Sequence, residues 1–141
     1  MDLAAARAGQ LGLRIDTDLA AAPAYGNRLL LERLVGNLVD NAVRHNIPGG
    51  WVAIRTGTSD GQARFEIANS GAVIPEELVP SLFEPFRRVE QRTNVHDGTG
   101  LGLAIVRSIG TAHGACVEAH SLPAGGLGIL VTMPLAAGDG G

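Results

Sequence analysis

From Asn27 to Asn46 the apolar residues recur at the spacing of an α-helix, and the arc they form is too wide to leave in water. At about 100° per residue, Leu31, Leu34, Val35, Leu38, Val39 and Ala42 share one broad face. Such a helix needs a sheet or other helices to cover it. Asn27 stands at the expected N-cap, and Ile47-Pro48-Gly49-Gly50 ends the run. Arg33, Gly36 and Asp40 are expected on the opposite, solvated side. Asn37, Asn41, Arg44 and His45 line one margin between the two. Asparagine is a mediocre helix former, and burying an amide without partners costs roughly 1–3 kcal/mol. Two amides four residues apart on such a helix ask for a ligand. The plainer reading is a surface helix whose polar border includes them.

The rest of the chain alternates strand and turn signals. Leu11, Leu13 and Ile15 alternate with smaller or polar residues, as in a half-buried strand. Residues 51–69 read as a β-hairpin, with Trp51, Ala53, Phe65 and Ile67 taken as its alternating set and Ser59-Asp60-Gly61 turning the chain. Residues 70–86 read as a loop feeding a short helix, with Pro75 at its first position and Glu76 and Glu77 in its first turn. Residues 87–100 are polar and without period, which predicts a long mobile loop of the functional kind. Residues 101–114 return to helix, closed by Gly114. Residues 115–122 and 127–135 read as strands joined by a Pro-Gly-Gly turn. The order predicts an α+β sandwich, one mixed β-sheet with helices packed on one face.

Composition narrows the function classes. A chain of 141 residues that is 45% hydrophobic can bury the core of one domain. A net charge of -3 without a basic stripe argues against nucleic acid as a partner. The single Cys116 excludes an internal disulfide and fits a reducing compartment. The apolar runs are too short to cross a bilayer, so no membrane contact is expected of this domain.

The glycines are placed more tellingly than they are numerous. Gly98, Gly100 and Gly102 alternate immediately before a helix. Glycine lets backbone N–H groups approach an anion, and a helix N-terminus adds its positive dipole end. No Gly-Lys-Ser/Thr follows, so this is not a Walker A loop. Nor does a clear strand run straight into it, as a dinucleotide-binding fingerprint requires. A phosphate site approached by a long polar loop fits better than either.

Taken in order, these segments resemble the catalytic, ATP-binding domain of bacterial sensor histidine kinases. That domain belongs to the GHKL superfamily (the Bergerat ATP-binding fold) with DNA gyrase and the heat-shock chaperone ATPases. "LERLVGNLVDNAVRHN" is similar to the family's N box, "IANSGAVIP" to its G1 box, "LFEPFRRV" to its F box and "DGTGLGLAIV" to its G2 box. Four boxes in register cover residues 11 to 135. The resemblance implies a domain at 11–136, a residual linker at 1–10 and a disordered tail at 137–141.

The resemblance also implies roles. Asn41 corresponds to the Mg²⁺ ligand; a neutral amide oxygen suits a hard ion that keeps waters and bridges to phosphates. Asn37 stands where hydrolytic relatives carry a glutamate that activates water, and an amide cannot act as that base. Arg44 corresponds to a phosphate-contacting position and His45 to an aromatic position near the base and sugar. Phe83 and Phe86 anchor the lid, and Arg88 matches an arginine that reaches the nucleotide when the lid closes. Gly98, Thr99, Gly100, Leu101 and Gly102 form the hinge around the phosphates. Asn37 and Arg88 are thus the implied catalytic positions, with ATP and Mg²⁺ as cofactors.

The G1 box departs from the pattern. Asn69 replaces the aspartate that accepts the adenine amino group. It keeps an acceptor but gives up charge assistance, which roughly doubles a hydrogen bond's strength. Gly71 is present, but the next glycine is Val73, whose β-branch tolerates unusual backbone angles poorly. None of the four histidines, His45, His96, His113 and His120, falls in an acceptor-helix pattern. The implied partners are therefore a separate helical dimerisation and phospho-acceptor domain of the same kinase, and a response regulator. The implied location is the cytoplasmic part of a membrane-bound sensor. Two other readings stand beside this one: a nucleotide-free interaction module made inert by Asn69 and Val73, and another superfamily member, an anti-sigma-factor kinase or an ATPase.

Overall fold

Asn27 caps the first long helix through its side chain, accepting the amide of Leu30 at 3.0 Å. That helix, α1, spans Arg28–Arg44. The structure, a computed structural model, describes residues 9–19, 27–84 and 102–134. Around α1 stand β1 (Arg14–Leu19), β2 (Trp51–Ser59), β3 (Gln62–Asn69), a 3-10 helix (Glu76–Phe83), α2 (Gly102–Ala112), β4 (Cys116–Ser121) and β5 (Leu127–Pro134).

The strands form one five-stranded sheet in the order β1-β2-β3-β5-β4. β1 runs parallel to β2, and every other pairing is antiparallel. Parallel neighbours need a crossover, and α1 lies within the segment that connects them. The β2–β3 hairpin turns at Asp60 and Gly61, both with positive φ (53° and 75°), the backbone a two-residue hairpin favours. The helices cover one face of the sheet. Leu34, Leu38 and Ala42 of α1 and Leu103, Val106 and Ile109 of α2 share a core with Val52, Ile67, Leu127, Ile129 and Val131 of the strands. Burying a side chain such as Leu34 stabilises the fold by about 1.5–3 kcal/mol.

Four sequence expectations need correction. Leu11 and Leu13 precede β1 rather than lie in it, and Ile15 is 48% exposed because β1 is the sheet's edge. On β2 the core-facing set is the buried Val52 and the partly buried Ile54, whose partners are Asn69 and Ile67; Trp51 and Ala53 face the other way. The short helix after Pro75 starts at Glu76, with Pro75 as its N-cap and not its first residue, and it is of the 3-10 type with Pro80 inside it. Proline has no N–H to give and clashes with the carbonyl four residues back. Finally, Asp40 is not fully on the solvated side opposite the apolar arc. It is half-buried and accepts Arg44 Nε at 2.7 Å, one helical turn along the same side.

Candidate functional site

The C-terminal half of α1 presents the two asparagines. Asn37 is half-buried, and its Nδ2 is fully shielded with no hydrogen-bond partner among the described residues. The half-buried Asn41 side chain has no partner there either. A turn later Arg44 is held by Asp40, so part of its charge is already met. His45 is the helix C-cap, its backbone N–H reaching Asn41 and Val43 carbonyls.

Asn69 ends β3 on the helix-covered face, level with Val52 and Leu127. It is 5% exposed, one of two buried polar residues among those described. Its Nδ2 donates to the Ser70 carbonyl at 2.7 Å, while its Oδ1 accepts nothing among the described residues. A small network seats this turn. Ser70 Oγ donates to Asn46 Oδ1 at 2.6 Å and accepts the Trp51 amide at 2.8 Å. Asn46 Nδ2 donates to the carbonyls of Ala42 and Trp51. The end of α1, the start of β2 and the end of β3 are thus tied through two side chains.

Backbone packs directly on backbone around this turn. A Cβ at Gly71 would lie 2.7 Å from the His45 carbonyl oxygen. Gly126 has φ +114°, and a Cβ there would land on the Asn69 carbonyl oxygen. Only glycine fits such an approach. Val73, by contrast, needs no special backbone: Asp60 is the only non-glycine residue with positive φ among those described. Its side chain is 69% exposed. Beyond it, Glu76 Oε1 accepts the Ser121 hydroxyl at 2.6 Å and the Ser121 amide at 3.3 Å. The hydroxyl, then the amide, hold the Glu76 carboxyl below its ordinary value, and the nearby His120 adds to this.

Among the expected site residues, the structure therefore gathers Asn37, Asn41, Arg44 and His45 on one helix, and Asn69 and Gly71 beside its end. Gly102 is the first residue of α2, with open space around its Cα. Arg88, Gly98, Thr99, Gly100 and Leu101 lie outside the described residues, as do Phe86 and His96. Asn46, Ser70 and Gly126 are the additions that sequence reasoning missed. Their only signal was an asparagine ending a helix and a Gly-Gly pair in a late turn.

A groove of about 350 Å³ opens elsewhere, lined by Leu31, Val35, Phe65, Val131 and Met133. It lies toward the start of α1, and its polar lining is limited to Arg28, Glu32, Thr56 and Arg64. The orphaned amide of Asn37 is the better marker of a ligand. It can donate to a phosphate oxygen, while an Asn41 carbonyl offers the hard oxygen a magnesium ion takes. The donor set fits a magnesium nucleotide.

Residues 26–137 match the family described as "Histidine kinase-, DNA gyrase B-, and HSP90-like ATPase". The chain belongs to this ATPase family. Within it the similarity runs toward sensor kinases. The "Sensor protein CutS" of Streptomyces coelicolor is 44% identical over 137 residues, covering 96% of this chain and 33% of CutS. The "Signal transduction histidine-protein kinase BaeS" of Escherichia coli is 37% identical over 127 residues, 88% of this chain and 27% of BaeS. The chain thus spans about a third or less of these relatives. Among solved structures, the mycobacterial sensor histidine kinase MprB superposes with a TM-score of 0.76 at 24% identity, over 96% of this chain and 95% of that one. Full-length ShkA, solved with AMPPNP, gives 0.79 at 26% identity over 96% of this chain and 28% of its own. The GHKL sandwich and the family's ATP-binding character are therefore those of histidine-kinase ATPase domains.

Proposed function

We propose that this ATPase domain serves a two-component sensor kinase, binding Mg·ATP and passing the γ-phosphoryl to a histidine on a separate helical domain. The observation that carries the reading is the shielded, unpartnered Nδ2 of Asn37 one turn from the equally unpartnered Asn41. An amide left so in a buried position costs about 1–3 kcal/mol, a cost that ligand binding would offset.

In this reading Asn41 would hold Mg²⁺, which would supply charge neutralisation for the phosphates. Asn37, Arg44 and His45 lie against the phosphates and sugar. Asn69 accepts the adenine amino group through Oδ1, beside the close-packed Gly71, with Val73 on the rim. From the motif resemblance, Gly98, Thr99, Gly100, Leu101 and Gly102 are assigned to the phosphate site and Arg88 to the transfer step. Transfer breaks the bond between the γ-phosphorus and the bridging oxygen, whose electron pair leaves with ADP. A new N–P bond forms to the acceptor imidazole, which gives up its proton. Such chemistry is governed by positioning and charge. An amide at position 37 cannot draw a proton from water, which favours a histidine over water as acceptor.

The partners in this reading are the acceptor domain of the same kinase and a cognate response regulator, with the domain on the cytoplasmic side of a membrane-bound sensor. The similarity to CutS, a sensor protein, and to BaeS, a signal transduction histidine-protein kinase, supports it. The test mixes the chain with γ-labelled ATP and a candidate acceptor fragment. Acid-labile phosphohistidine on the fragment is expected. Steady release of inorganic phosphate without it would favour an ATPase.

A further inference from the structure

His113 stands one residue beyond α2, and its ring is held at both nitrogens. Nε2 lies 3.0 Å from the backbone nitrogen of Asn27, and Nδ1 lies 2.9 Å from the carbonyl oxygen of Ile109. A backbone N–H can only donate, so Nε2 is the bare acceptor. The proton of the neutral imidazole then sits on Nδ1 and is donated to Ile109. Asn27 is the N-cap of α1. The ring therefore joins the end of one helix to the start of the other.

Hydrophobic contact has no direction, whereas a hydrogen bond does. The shared core of Leu34, Leu38, Leu103, Val106 and Ile109 draws the two helices together. The bond from Asn27 to His113 fixes how far one is advanced along the other. At 1.5 Å per residue, the 11 residues of α2 span about 16 Å. With its far end tied to Asn27, α2 running back along α1 brings Gly102 level with the second half of α1, where Asn37 and Asn41 stand. We propose that His113, locked as the Nδ1–H tautomer, is a positioning residue that keeps the glycine-bearing start of α2 in axial register with the Asn37–Asn41 margin. The nucleotide consequence rests on the proposed function; the tautomer does not.

The test uses the full 141-residue chain. Long-range ¹⁵N–¹H spectra of the wild type are expected to show the His113 proton on Nδ1 and a bare Nε2. An Nε2–H ring, or one averaging between tautomers, would overturn the clamp. Calorimetry with Mg·ADP then compares the wild type with His113→Leu and His113→Gln, the second retaining an acceptor near the Nε2 position. His113→Leu is expected to weaken binding about fivefold, the size of one net hydrogen bond. His113→Gln is expected to recover it to within about twofold. Unchanged affinity in His113→Leu would overturn the positioning role. A wild type that takes up no nucleotide would sink the proposed function and the register claim together, while the ring spectrum would still decide the clamp.

Discussion

Ser70 donates its hydroxyl to the side-chain oxygen of Asn46 at 2.6 Å, across 24 residues of chain. The contact fastens the end of β3 to the end of α1, and with it the turn that carries Asn69. Ser70→Ala would leave the Trp51 amide without its 2.8 Å acceptor. We expect a loss of about 1 kcal/mol in urea denaturation, the low end of the cost of an unsatisfied donor because this one is only part-buried, together with weaker nucleotide binding.

Asn37 is predicted to separate stability from function. Its Nδ2 is buried without a partner, so Asn37→Ala removes an unmet group. The unfolding free energy should hold or rise, by up to about 1 kcal/mol, while affinity for Mg·ATP should fall about tenfold or more. A simple loss of stability would show that the amide is structural.

Two glycines should respond with opposite sign. Gly126→Ala would drive a methyl group onto the Asn69 carbonyl, and destabilisation of roughly 2 kcal/mol or more is expected from that clash and the positive φ. Gly36 lies on the exposed side of α1 with nothing within 4 Å of an added Cβ. Gly36→Ala should stabilise by about 0.5–1 kcal/mol. Thermal melts of the two variants check both.

Asn69→Asp tests the adenine reading with a known cost. The Nδ2 that now donates to the Ser70 carbonyl at 2.7 Å becomes an oxygen facing an oxygen. Stability should drop by about 1 kcal/mol. Nucleotide affinity should nonetheless rise, because a carboxylate accepts the more strongly. Unchanged affinity would remove Asn69 from the base-reading role.

The Glu76–Ser121 contact predicts a pH response. The Glu76 carboxyl is lowered from its ordinary 4.5 by the Ser121 hydroxyl and amide. A depressed folded value means that the charged form is the docked one. Its contribution is present above the ordinary value and is lost as pH falls through the lowered one. A carboxyl ¹³C titration should place the Glu76 midpoint below 4.5, and Ser121→Ala should move it back up.

What was legible in the sequence was chiefly local. The Asn27 cap, the Asp60-Gly61 turn and the Gly114 terminus, with φ +70°, each rest on one or two residues with strong backbone preferences. The inward face of β2 was not legible, because Trp51, Val52, Ala53 and Ile54 are all apolar and either parity can be buried. Only the register against Ile67 and Asn69 decides it. Asn37 and Asn41 stood out because they interrupt an apolar helix. Asn46 and Ser70 did not, since their meaning lies in a contact between distant segments. The same holds for His113, an ordinary helix end until Asn27 is placed beside it.

The most direct measurement is a crystal structure of the chain grown with Mg·AMPPNP. Density for the magnesium ion against Asn41, with the phosphates along the Asn37 side of α1 and the adenine amino group on Asn69, is the predicted result. Density for the nucleotide anywhere else, or none at saturating concentration, would contradict it.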